Sequence, residues 1–407
     1  MNNLLSKAYL AAERFITFHN FSQNKSLQNN LLTKELQKRS IDDWFNKEIE
    51  KSISQLEEKS LKDWEDHMEL LQLLQHYYHH PNLTPVMESG KSLITSMDEQ
   101  LELVYILEKA ATITKKIFRN RILKDESYDI RRELDIWFKL TEQIIHPSIT
   151  LFKVRFSYTE DNRLENYHLL KATFLEEIHN LNDKEKKLHL IYLTNDTALL
   201  TRTKQLDLSA RLPLYKLGLK HGLLMYNGLL THKTFISILT ISNTFQDFDY
   251  STWFIDNYVK YLDSMVQDDA QHWALAHTAY YQKFYNECLN ILLGYDFSIH
   301  FFKIITKVLT IQVYFDLFLK DISYESYLFN FFDSFEKWLQ REKFRSKYNK
   351  SSFLKFIQLS RKLAKSFMEH SFSENNLRKI IHSETNIQAP TWLNQKMEQI
   401  IELNKKR

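Results

Sequence analysis

The 407-residue sequence predicts an all-α fold of stacked antiparallel helical hairpins, and three observations carry that expectation. Only 5 Gly and 5 Pro occur, whereas average usage would supply about 49 of the two together. Gly provides positive-φ turns and Pro terminates regular elements, so this chain has few strand-to-strand turns and few long loops. Apolar residues make up 43% of the chain, enough for a substantial core, and they recur at helical spacing. Finally, the connections between periodic windows are short and polar. Short connections set consecutive helices antiparallel, and neighbouring pairs then bury their shared faces.

The elements follow in chain order. The opening segment, MNNLLSKAYLAAERFITFHNF, carries Lys7, Glu13 and Arg14 inside its apolar run. A secretory signal needs that run uninterrupted and followed by a small-residue cleavage site. A helix containing Met68–Tyr78 gives way at Pro81 and Pro85. Pro147, after His146, suits the first turn of another helix, and Pro213 does the same ahead of an expected helix Leu214–Met225. The polar stretch Thr201–Arg211 separates an irregular N-terminal helical region, residues 1–210, from a more repetitive helical-hairpin region, residues 211–407, within one continuous array. Asn227-Gly228 is a turn dipeptide, and Thr231 is placed to cap the helix after it.

From there the chain reads as helix pairs: Thr231–Phe245 with Asp249–Leu262, Ala270–Gln282 with Tyr285–Leu293, and Ser298–Leu319 with Tyr324–Gln340. In the last of these, Tyr324, Tyr327, Leu328, Phe331, Phe332, Phe335, Trp338 and Leu339 repeat at i, i+3, i+4, i+7 over four turns. In Ser351–Phe367 the apolar side holds Phe353, Phe356, Ile357, Leu363, Ala364 and Phe367. Pro390 opens the final helix. The most apolar long segment, Phe301–Leu319, contains Lys303, Lys307 and Asp316, too many charges for a lipid-facing span. It is expected to be a helix buried between neighbours, and no membrane span is expected.

The segment AHTAYYQKFYNECLNILLGY resembles a tetratricopeptide repeat. Ala276 and Cys288 match the two small positions where that repeat's helices cross, Tyr285 and Leu292 match its large packing positions, and Lys283 stands where its turn glycine is usual. LYKLGLKHGLLMYNGLLTHKTF, FQDFDYSTWFIDNY, AYYQKFYNECLNIL and DSFEKWLQREK, in that order, extend the likeness over roughly residues 212–345. The chain there resembles a bacterial family of tetratricopeptide-like helical-repeat proteins with no assigned activity. The resemblance implies a tetratricopeptide-like α-solenoid and, since the members it resembles are longer at the N-terminus, a shortened form.

Chemistry is scarce. There is 1 Cys, so no intrachain disulfide and no multi-cysteine metal site can form, which fits a reducing, cytoplasmic setting. Cys288 at a packing position is expected to be buried and structural. No phosphate loop, His-Glu-x-x-His or Gly-x-Ser-x-Gly motif occurs. No enzyme activity, catalytic residue, metal or cofactor is expected. His76, His79 and His80 have metal-ligand spacing, but a helix C-terminus attracts histidines for its carbonyls alone. Glu165/His168 and Glu176/His179 copy the Glu-x-x-His spacing of di-iron bundles. Eleven residues of one helix separate the two pairs by roughly 16 Å, too far for a shared binuclear centre, so both are expected on a solvated surface.

The sharpest local signal is Lys337–Lys365, which is +9 over 29 residues against −6 for the rest of the chain. Arg341, Lys343, Arg345, Lys347, Lys355, Arg361, Lys362 and Lys365 are its candidate polyanion- or partner-binding residues. Trp338, Phe344 and Tyr348 are interleaved, a pattern suited to phosphates and stacked bases, though a basic outer face of an amphipathic helix is also ordinary. A smaller cluster, Lys115, Lys116, Arg119, Arg121 and Lys124, has the same ambiguity. The expected function is a non-enzymatic helical-repeat scaffold for another macromolecule, with protein ahead of nucleic acid. A basic stripe along a groove would favour nucleic acid. A neutral, aromatic-lined groove would favour a peptide or helix.

Overall fold

A computed structural model describes residues 2–81, 84–122, 128–161, 163–342, 347–368, 374–383 and 387–406. Among the described residues the protein is all-α apart from one two-stranded hairpin. It divides into two compact units, Met1–Asp207 and Leu208–Arg407.

The first unit runs through α1 (Asn2–Gln23), α2 (Lys25–Lys38), α3 (Asp42–Glu57), α4 (Trp64–Tyr78), α5 (Thr84–Ile122), α6 (Arg131–Leu140), α7 (Pro147–Glu160), α8 (Leu164–Glu177) and α9 (Asp183–Arg202). Local chemistry sets several of the starts. The Asp63 carboxylate accepts from the Asp66 N–H and the Asp66 carboxylate from the Asp63 N–H, both at 2.9 Å, a capping box that opens α4. Asn182 caps α9, and Pro147 occupies the first turn of α7. Phe45 and Ile49 of α3 pack with Leu70 and Leu74 of α4. A second cluster joins Ile106, Ala110 and Ile113 of α5 to Trp137 of α6 and Phe152 and Phe156 of α7. The buried Trp137 indole donates to the Ile106 carbonyl at 2.9 Å. By contrast, every residue of α1 from Leu4 to Asn20 is exposed.

The second unit begins with α10 (Leu212–Lys220), β1 (Met225–Tyr226) and β2 (Leu229–Leu230). The expected helix Leu214–Met225 thus stops early, for a local reason. Gly222 takes φ +66 and the Leu223 N–H returns to the Gly218 carbonyl at 2.8 Å, a left-handed stop that glycine permits. Asn227 (φ +50) and Gly228 (φ +78) then make the tight turn that pairs Tyr226 with Leu229 and Met225 with Leu230.

Then come α11 (His232–Thr244), α12 (Phe248–Tyr258), α13 (Gln267–Tyr281), α14 (Tyr285–Gly294), α15 (His300–Lys320), α16 (Glu325–Arg341), α17 (Lys347–Met368), α18 (Glu374–Ser383) and α19 (Pro390–Lys406). Thr231 caps α11 through the Thr234 N–H, as its position predicts. α11 packs on α12, α13 on α14 and α15 on α16, while α11 also meets α13 and α13 meets α15. Ala276 and Cys288 are both fully buried. Lys283 adopts φ +67, supplying the left-handed turn that a glycine makes more easily. A single apolar core extends from Tyr215 of α10 to Ile401 of α19. Phe301–Leu319 lies in α15, and no helix among the described residues is long and apolar enough to cross a membrane.

Candidate functional site

The helical spacing of the second unit brings three side chains of α13 into one file. Trp273, His277 and Tyr281 lie four residues apart, and their rings follow one another at 4.6 Å (Trp273–His277) and 4.9 Å (His277–Tyr281). This file forms one wall of a cavity of about 250 Å³. Thr240 and Thr244 of α11, Ile305, Leu309 and Gln312 of α15, Phe353 of α17 and Thr391, Trp392 and Gln395 of α19 line the rest of it, and it is partly open to solvent.

No side chain charged at neutral pH lines this cavity. Its one titratable base is His277, whose pKa burial pushes down to about 3, so the imidazole is neutral. Asn243 Nδ2 donates to His277 Nδ1 at 2.8 Å, which leaves the ring hydrogen on Nε2, and donates to Thr278 Oγ1 at 3.1 Å. Thr244 Oγ1 donates to the Thr240 carbonyl at 2.7 Å and reaches Tyr281 Oη at 3.3 Å. The Trp273 indole N–H is buried with no hydrogen-bond partner.

Beside the cavity, α19 is fastened by a polar chain. Trp392 Nε1 donates to Tyr280 Oη (2.9 Å), Tyr280 Oη donates to Asp316 Oδ2 (2.7 Å), and Lys396 pairs with the other Asp316 oxygen. Burial, then the Asp316 carboxylate, raises the Tyr280 pKa, so the phenol keeps the proton it donates. No family model, no curated protein and no solved structure matches this chain. Geometry therefore carries the functional argument.

The residues singled out in the sequence are scattered. His80 is buried, stacked on Phe45 at 4.3 Å with Asp42 Oδ1 at 3.5 Å, while His79 caps the end of α4. Glu165, His168, Glu176 and His179 are all exposed. Among the described residues no group of three or more His, Cys, Asp or Glu is arranged to hold a metal. Within the basic segment, Lys343 and Arg345 lie outside the described residues, and Lys347 begins α17. Arg341, Lys362 and Lys365 are exposed and Lys355 is half-buried. Arg361 does not face solvent as a free charge: it pairs with Asp333 (2.8 Å) and Glu336 (3.4 Å). In the smaller cluster, Lys116 pairs with Glu133, Arg121 with Asp196, and Lys124 lies outside the described residues.

Two buried polar groups of the first unit escaped the sequence reading. Asp196, fully buried, binds Arg121 (2.8 Å) and Arg155 (2.5 Å). Ser148 donates to Glu185 at 2.5 Å, and His189 Nε2 stands 3.3 Å from the same hydroxyl. A nucleophilic triad places its acid behind the histidine. Here the acid bonds the serine itself, Ser148 is buried, and His189 Nδ1 has no partner. The cluster therefore serves to join α7 to α9.

The cavity file was missed as well. Its signal was the Trp-x3-His-x3-Tyr spacing in α13, which resembles an ordinary core stripe until the facing helices are known.

Proposed function

We propose that the chain is a non-enzymatic helical scaffold, its C-terminal unit a tetratricopeptide-like stack of hairpins, whose partner is another protein. The observation that carries the choice of partner is α1. Leu4, Leu5, Tyr9, Leu10, Phe15, Ile16 and Phe18 are 48–79% exposed along it. A contiguous apolar surface left in water marks an interaction site. Phosphates find little there, since Lys7, Arg14 and Glu13 leave the helix a single net positive charge. The hairpin-stack reading is supported by the pairing of α11 with α12, α13 with α14 and α15 with α16, and by the side-by-side first helices.

The test uses Leu5→Glu, Tyr9→Glu and Phe15→Glu together in the full chain. Because these side chains are exposed, the melting temperature should hold. Affinity capture from the native host should yield a protein that the triple variant loses. The reading is overturned if the variant keeps every captured protein. It is also overturned by salt-resistant nucleic-acid binding that disappears when Arg341, Lys362 and Lys365 become Gln, since weak polyanion attraction alone fades by physiological salt.

A further inference from the structure

We propose that a second cavity, between α14, α15 and α16, is a binding site for a small carboxylate carried on a compact apolar body and held by Lys303 and Lys307. This goes beyond the scaffold reading and does not depend on it.

Three charges interrupt Phe301–Leu319, the most apolar long stretch of the chain. Asp316 is accounted for, since it accepts from Tyr280 and pairs with Lys396. Lys303 and Lys307 are not. Both are half-buried and stand one turn apart on α15, and among the described residues no carboxylate pairs with either ammonium. Like charges at this spacing repel, and a cation drawn partly out of water without a counter-charge loses hydration that nothing replaces. Burial, then Lys303, pushes the Lys307 pKa below its ordinary 10.5. A bound anion would relieve both penalties.

The two lysines line a cavity of about 290 Å³ that is partly open to solvent. Leu292 and Leu293 of α14 and Phe297 of the following connection supply apolar wall on one side, and Phe331 and Trp338 of α16 supply it on the other. Lys307 Nζ lies 5.4 Å from the centre of the Trp338 ring and 6.0 Å from that of Phe331. These rings position the ammonium but offer no lone pair to its three N–H donors.

Size and charge then define the ligand. A dry cavity of roughly 150 Å³ takes up benzene, so about 290 Å³ accommodates a ring with an acidic substituent. Asp296, exposed, is the one acid among the described lining residues, so the two lysines leave the lining a net positive charge. Two ammonium groups one turn apart match the two oxygens of one carboxylate. Among the described residues no arginine lines the cavity to serve the further oxygens of a phosphate. The other side-chain donors are already spent. Thr306 donates to the Phe302 carbonyl at 2.8 Å, Thr310 to the Thr306 carbonyl at 2.9 Å and Tyr295 to Asp269 at 3.0 Å.

The experiment is calorimetric titration and thermal shift of the full chain at neutral pH with sodium phenylacetate. Phenylacetamide serves as the same shape without the charge, acetate as the charge without the ring, and phenyl phosphate as the alternative anion. Phenylacetate should bind and raise the melting temperature. The amide and acetate should bind at least about tenfold more weakly, and phenyl phosphate no more tightly than phenylacetate. Lys307→Met keeps the apolar stem and removes the charge. It should weaken phenylacetate about tenfold or more without lowering the melting temperature. Leu293→Asp, at a side chain 62% exposed, sets a negative charge at the mouth and should weaken binding comparably while the fold holds; it decides the matter if Lys307→Met fails to fold. Lys362→Met removes an exposed lysine of α17 outside the cavity and should change nothing. The proposal fails if phenylacetate does not bind at about 10 mM, if the amide or acetate binds as well, or if phenyl phosphate binds more tightly. It fails equally if Leu293→Asp or a folded Lys307→Met binds unchanged, or if Lys362→Met weakens binding as much as Lys307→Met. None of these results bears on α1.

Discussion

Replacing Glu185 by Gln should stabilise the protein at pH 8 and do almost nothing at pH 5. Glu185 is 9% exposed. Burial, reinforced by the carboxylates of Asp63 and Asp66, pushes its pKa from 4.5 up to about 7, against the hydrogen bonds from Ser148 and Asn182. The folded state therefore holds a proton that the unfolded chain releases, and the stabilisation from holding it is lost as pH rises from 4.5 through 7. At about 1.36 kcal/mol per pH unit, the 2.5-unit interval sets a ceiling of ~3.4 kcal/mol. Relaxation around the ionised group lowers the expected figure to about 1–3 kcal/mol. Gln mimics the protonated carboxyl. Its oxygen accepts from Asn182 Nδ2, its amide donates to Ser148 Oγ, and Ser148 donates onward to His189.

The neighbouring titrating groups do not spoil the comparison. Burial, with His67 nearby, pushes His146 down to about 4, and burial, with Arg155 and His146, pushes His189 down to about 3. Both are neutral in the folded protein at pH 5 and at pH 8. They cost stability below pH 6.5, where only the unfolded chain binds their protons, and this cost is the same in wild type and variant. Urea unfolding at the two pH values isolates the Glu185 contribution as a difference of differences. A variant equally destabilised at both pH values would show that Glu185 folds ionised and that its burial is compensated.

The other expectations are simpler. Burial pushes the Cys288 thiol up to about 12, so a thiol reagent should label it only slowly at pH 8. Cys288→Ala should be tolerated and Cys288→Leu should cost about 1–3 kcal/mol through overpacking; rapid stoichiometric labelling of folded protein would refute the packing role. Asp196→Asn should destabilise by about 3–5 kcal/mol, because it leaves the buried Arg155 without its carboxylate. An unchanged urea midpoint would mean that water or a rearranged neighbour takes over.

Legibility in the sequence followed the range of the interaction concerned. Turn and cap chemistry acts within four residues, and it was readable. Asn227-Gly228, the Thr231 cap and the Pro147 start stand where the residue types place them. The hairpin-forming helices α11 to α16 were bounded to within a few residues because their apolar periods end at polar breaks. α10 was misjudged because Gly222, one glycine in an apolar stretch, outweighed the hydrophobic pattern by permitting a left-handed stop. Composition overstated the basic segment for a different reason. Counting charges ignores partners, and Arg361 meets its two carboxylates from the preceding helix, 28 and 25 residues away.

The cavity illustrates what a single sequence withholds. Trp273, His277 and Tyr281 read as a core stripe, and most of what surrounds them is core. The neutral cavity beside them arises only because α11 presents two threonines and α19 returns from more than 100 residues away to lay Trp392 on Tyr280. Periodicity reports which face of a helix is buried. It does not report whether the facing helix fills the space with leucine or leaves it open with threonine. The substitution that would erase the cavity, Thr240→Met, is also one that a hydrophobic pattern would score as an improvement.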